Sequence, residues 1–94
     1  MKKLITAVTA TAVRFLAHAG PAEFVEIVRM QPSIKGSDAY LLRLGTTICE
    51  LKSEGHTDLD LASALVANGQ VEDHFDGGFL IGAAEAELCP GVTA

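Results

Sequence analysis

Met1-Lys2-Lys3 is followed by ten residues that are all apolar or threonine, Leu4 to Val13, and then by Ala17-His18-Ala19. A charged start, an apolar run and a small-x-small triplet are the parts of a secretory signal peptide. Cleavage between Ala19 and Gly20 removes residues 1–19 and leaves 75 of the 94 residues, 20–94, to form one domain. A chain that short buries little surface, and such domains usually add a disulfide, a metal or a partner subunit to a small core. Arg14 ends the apolar run, where a charge weakens the leader without cancelling it, since the cost falls from about 3 kcal/mol at a membrane-helix centre toward its ends. The competing reading, an amphipathic helix of a cytosolic protein, needs a polar face that Leu4 to Val13 lacks.

Ten residues fall well short of the roughly twenty that span a bilayer. No cysteine stands near the cleavage site to carry a lipid. The expected product is therefore released, either secreted or held in the cell envelope, with no stable membrane span. Its compartment is oxidising, and a bond between the two cysteines, Cys49 and Cys89, is chemically permitted there.

The net charge of −5 becomes more negative without the leader, because Lys2, Lys3 and Arg14 leave with it. Four bases (Arg29, Lys35, Arg43, Lys52) against twelve acids give 4 − 12 = −8. This balance argues against nucleic acid and anionic lipid surfaces as partners. An apolar fraction of 49% sets the chain apart from disordered compositions, although the leader and many alanines inflate it.

The pattern of the remaining chain is helical throughout, so the expected fold is all-α: a small bundle of three to four short helices, cross-linked by one disulfide and preceded by a signal peptide. Pro21 suits a first helical position, and Phe24, Ile27 and Val28 form a short stripe that ends before Pro32. Ser37 is placed to cap a second helix, in which Leu41, Leu44, Ile48 and Leu51 line one face with Leu42, Gly45 and Cys49 beside them, and Gly55 stops it. Thr57 with Asp60 opens a third helix, carrying Leu61, Ala62, Leu65 and Val66 and closed by Asn68-Gly69. A last helix starts near Glu72 or Asp73, with acids in its first turn, and is closed by Pro90. Its expected inward row is Phe75, Phe79, Gly82, Ala86 and Cys89.

Cys49 and Cys89 then lie on the inward rows of two helices that must pack together, which favours a bridge. Two buried reduced thiols are the alternative; a metal held by two cysteines without a nearby CxxC or paired histidine is weaker still. Gly77-Gly78 within the last helix costs about 1 kcal/mol per residue relative to alanine. Either a neighbouring helix approaches closely there, or the helix is hinged over a ligand pocket.

Gly45-Thr46-Thr47-Ile48-Cys49-Glu50-Leu51 with Gly55, followed later by Cys89-Pro90, resembles the small exported proteins of mycobacteria grouped as domain of unknown function 732. The resemblance runs from about Ala22 to Pro90. It implies an export leader, an all-helical domain and two paired cysteines, and brings no catalytic residues. Gly77-Gly78 and His74 depart from the family's usual alanine-rich last helix.

Catalysis is not expected. His56 and His74 are the only histidines beyond the leader, no serine sits in a nucleophile elbow, and a disulfide would consume both thiols. Neither Glu72, Asp73, His74 and Asp76 nor His56, Asp58 and Asp60 has the spacing of a zinc site or a calcium loop. No cofactor is expected; haem is an alternative, with Tyr40, His56 and His74 as the residue types that ligate its iron. By elimination, the sequence describes a non-enzymatic binding or interaction module. Its partner is an unidentified envelope protein, or a small apolar ligand held between helices.

Overall fold

The computed structural model describes residues 20–89, so the expected signal peptide, with Ala19 at its cleavage site, lies outside the described residues, as does Pro90. Four helices follow in order: α1 (Pro21–Arg29), α2 (Asp38–Ser53), α3 (Asp58–Ala67) and α4 (His74–Glu87). Among the described residues there is no strand. The helices α1, α2 and α3 all pack on α4, whereas α2 and α3, though consecutive in the chain, meet only lightly.

Each helix begins where local chemistry dictates. Pro21 takes the first position of α1, where its missing N–H costs nothing. The Ser37 hydroxyl accepts the Tyr40 N–H at 3.1 Å, and the Thr57 hydroxyl accepts the Asp60 N–H at 3.1 Å. Asp73 caps α4 through a 2.9 Å bond from the Asp76 N–H. Each such cap satisfies a donor that the helix cannot, a contribution of about 1 kcal/mol. Gly69 turns the chain out of α3 at φ +73°.

The core centres on Phe24, Val28, Leu41, Ile48, Leu80 and Ile81, all nearly inaccessible to solvent, with Leu61 and Leu65 of α3 beside them. The α4 register differs from the expected one. Phe75 is 70% exposed, Gly82 and Ala86 are exposed, and Phe79 is half-buried. The inward face is instead Asp76, Gly77, Leu80, Ile81, Ala83 and Ala84. Asp76, one of the acids expected in the first turn of this helix, is only 2% exposed. Its Oδ1 accepts from Gln31 Nε2 at 2.7 Å and its Oδ2 from Ser33 Oγ at 2.5 Å. With these partners the carboxyl group can face inward, and the helix is rotated by about one residue from the aromatic stripe.

Cys49 and Cys89 are joined in a disulfide with Cα atoms 5.2 Å apart. Cys89 is buried, but not through the helical row: α4 ends at Glu87, and Cys89 follows in a terminal turn in which its N–H bonds the Ala84 carbonyl at 2.9 Å. One helical turn before Cys49, Gly45 admits the neighbours that bring the two cysteines together. A Cβ at Gly45 would stand 2.7 Å from both Phe24 Cζ and Leu88 Cδ1. The motif glycine and cysteine thus share the face of α2 that receives the end of α4.

At Gly77 a Cβ would lie 3.1 Å from Ala62 Cβ and 3.2 Å from Ala62 Cα, so this glycine lets α3 and α4 approach closely. Gly78 faces open space, and α4 runs unbroken through both. The expectation of close approach is met at Gly77 alone, and the helix is not interrupted.

Candidate ligand cleft

The light contact between α2 and α3 leaves an apolar cleft of about 230 Å³ between them. Leu44, Ile48 and Leu51 of α2 and Leu61, Ala64 and Leu65 of α3 line it, together with Thr47, Asn68 and Gln70. Two features fix the helices around it. Lys52 Nζ reaches Asp58 Oδ1 at 2.5 Å and Glu85 Oε2 at 2.9 Å, tying the end of α2 to the start of α3 and to α4. The chain leaving α3 folds back so that the Gln70 N–H bonds the Leu65 carbonyl at 2.9 Å, and buried Val71 anchors that loop.

The hydrogen bonds from Lys52, first to Asp58 and then to Glu85, raise its ammonium above its usual range. The same bond from Lys52 holds the Asp58 carboxyl below the usual carboxylate range. Both effects mark a pin that favours the charged form of each partner.

Sharing Leu44, Thr47 and Gln70 with the cleft is a second hollow of about 220 Å³, lined also by Tyr40 and Arg43. Beyond Tyr40 and Gln70 a third, of about 350 Å³, includes Ser33, Lys35, Gly36 and Glu72. Together they make a trough that is apolar at the α2–α3 end and polar toward the start of α2. A shallow hollow of about 480 Å³ over Ala39, Leu42 and Thr46, which Arg43 and Thr47 also line, is formed by α2 alone and has no opposing wall.

The residues singled out in the sequence fall in different places. Tyr40 is half-buried, packs over Gly36 and lines the trough. His56 is exposed in the turn after α2, 4.0 Å from Glu54 Oε1. His74 opens α4, with its Nε2 3.2 Å from Ser63 Oγ. About 20 Å of helix separates Tyr40 from the end of α2 that carries His56, so these two do not converge on one iron. Asp73 and Asp76 are engaged in the cap and the buried clamp, and Asp58 in the Lys52 pin. Among the described residues no group of three or more His, Cys, Asp or Glu side chains is arranged to hold a metal ion.

The sequence reading missed Arg43, Thr47 and Gln70. Thr47 lies beside Ile48 on a helix whose inward face was recognised, but nothing local to Gln70 announces that its loop folds back over the cleft.

These features define a small all-helical domain with a cross-linked α2 and α4 terminus and one apolar cleft. Among the described residues no helix is long and apolar enough to cross a membrane. The chain belongs to the family described as protein of unknown function (DUF732), whose model matches residues 20–91. No curated protein and no solved structure matches it.

Proposed function

We propose that this chain is an exported protein of the cell envelope or the extracellular space, cut between Ala19 and Gly20, whose domain is a non-enzymatic binding module for a small apolar ligand. The observation that carries the reading is the α2–α3 cleft, lined by six apolar side chains from the two helices and by three polar ones, Thr47, Asn68 and Gln70. Small-molecule sites have this make-up, a mostly apolar concavity with a few placed polar groups. The cleft lies between α2 and α3 rather than beside Gly77-Gly78, where the sequence had suggested a pocket. Exposed Met30 follows α1, Leu59 lies in α3 and Phe75 in α4, and single exposed apolar side chains are ordinary on a protein surface. The start of the family match at Gly20 supports the cleavage position.

Fluorescence titration with the neutral apolar dye N-phenyl-1-naphthylamine tests the binding reading. Saturable enhancement is expected, and Ala64→Trp should abolish it, because Ala64 is exposed at the cleft wall and a larger side chain there fills the cleft without disturbing the core. No saturable enhancement, or undiminished binding by a folded Ala64→Trp variant, contradicts the reading. Export is tested separately by the intact mass of the secreted protein, which should lack residues 1–19.

A further inference from the structure

Of the four bases in the described domain, two are held by acids: Arg29 meets Asp38 Oδ1 at 2.6 Å, and Lys52 meets Asp58 and Glu85. Lys35 and Arg43 have no ion-pair partner among the described residues, and both line the trough. Their surroundings differ. Lys35 shares its hollow with Glu72, whereas the hollow of Arg43 is lined by Tyr40, Leu44, Thr47 and Gln70 and contains no acid. In a domain with three acids for every base, the hollow of Arg43 and the shallow one over Ala39, Leu42 and Thr46, which Arg43 also lines, hold a base and no acid; only the first has an opposing wall, from Gln70, and adjoins the cleft.

This hollow adjoins the apolar cleft directly, sharing Leu44, Thr47 and Gln70 with it. We infer that the ligand is a single-chain amphiphile with one carboxylate, its hydrocarbon chain lying between α2 and α3 and its head held by the Arg43 guanidinium. The inference rests on the proposed binding function and adds the chemical class. Size supports one chain: with a methylene about as large as a water at roughly 30 Å³, the 230 Å³ cleft takes about seven or eight carbons, and the adjoining 220 Å³ hollow has room for the remaining carbons and head of a twelve-carbon chain. Arginine suits the head, since its planar fork meets a carboxylate with two parallel hydrogen bonds. The Tyr40 and Thr47 hydroxyls and the Gln70 amide supply further donors around it. The domain's net negative charge gives no general attraction for anions, so selectivity must come from this one hollow.

The test is displacement of N-phenyl-1-naphthylamine from the purified protein by dodecanoate, dodecanol and dodecyltrimethylammonium. Dodecanoate should compete about tenfold more strongly than dodecanol, the difference expected for one charge-assisted contact. The cationic amphiphile should compete least. Arg43→Gln should bring dodecanoate to the level of dodecanol and leave dodecanol unchanged, which also shows that the variant is folded. Equal competition by dodecanoate and dodecanol overturns the carboxylate assignment while leaving the apolar cleft in place. If the dye itself fails to bind, the underlying binding reading is what falls. Vesicles of a two-chain anionic phospholipid should not displace the dye; displacement matching that by dodecanoate overturns the single-chain assignment.

Discussion

Ser33 Oγ stands 2.5 Å from Asp76 Oδ2, closing the loop after α1 onto the first turn of α4 across 43 positions of sequence. Gln31 completes the clamp on the other carboxyl oxygen. Asp76→Ala removes both hydrogen bonds and leaves a space within a nearly closed site. It should lower stability by about 3 kcal/mol, with Ser33→Ala costing about half as much, measured by urea unfolding. A loss below about 0.5 kcal/mol for Asp76→Ala would show that the clamp contributes little.

The Cys49–Cys89 bond closes a loop across 40 positions, so reduction should cost about 4 kcal/mol in the chain-entropy account. The midpoint of urea unfolding with and without reductant measures this. Alkylation of the oxidised folded protein should modify no thiol. Two modified cysteines in the folded protein would contradict the bridge.

Two glycines separate close approach from open space. Gly45→Ala forces a Cβ against Phe24 and Leu88 and should destabilise by about 2 kcal/mol, whereas Gly78→Ala meets nothing and should stabilise by up to about 1 kcal/mol. For a domain of this size each kilocalorie moves Tm by roughly 4–8 °C, so calorimetry should show opposite shifts. A raised Tm for Gly45→Ala would contradict the packing described at Gly45, and a lowered one for Gly78→Ala the open space at Gly78.

The Lys52 pin predicts a pH dependence with a defined sign at each end. Asp58 titrates lower in the folded protein than its usual 3.8, so its contribution is present above that value and is lost as pH falls through the folded value. Lys52 titrates higher than its usual 10.5, so its contribution is present below that value and is lost as pH rises through the folded value. The partners are partly exposed and screened by solvent, and the effect is small. Urea midpoints across pH should form a plateau that falls at both ends, and Lys52→Met should flatten both flanks. An unchanged profile in that variant would assign the flanks to other groups.

Local signals made most of the fold legible. Ser37 and Thr57 cap helices through donors three residues away, and the leucines of α2 recur at the helical period. The rotation of α4 was not legible, because Asp76 is accommodated inside by Gln31 and Ser33, partners 45 and 43 positions away. Phe75 and Phe79 drew the expected row toward solvent, since two aromatics one turn apart resemble a core stripe when the polar neighbour's partners are unknown. The cleft was even less accessible to sequence reasoning. It depends on how α2 and α3 both pack on α4 and on where the Lys52 pin and the returning Gln70 loop set them, an arrangement that no single segment encodes.

The central claim, an apolar ligand lying between α2 and α3, is tested most directly by mapping amide shifts in ¹⁵N-labelled protein during titration with dodecanoate. The largest saturable shifts should fall at Leu44, Ile48, Leu61, Leu65 and Gln70, with Arg43 following the head group. Shifts centred instead on Met30, Leu59 or Phe75, or no saturable shift at all, would contradict it.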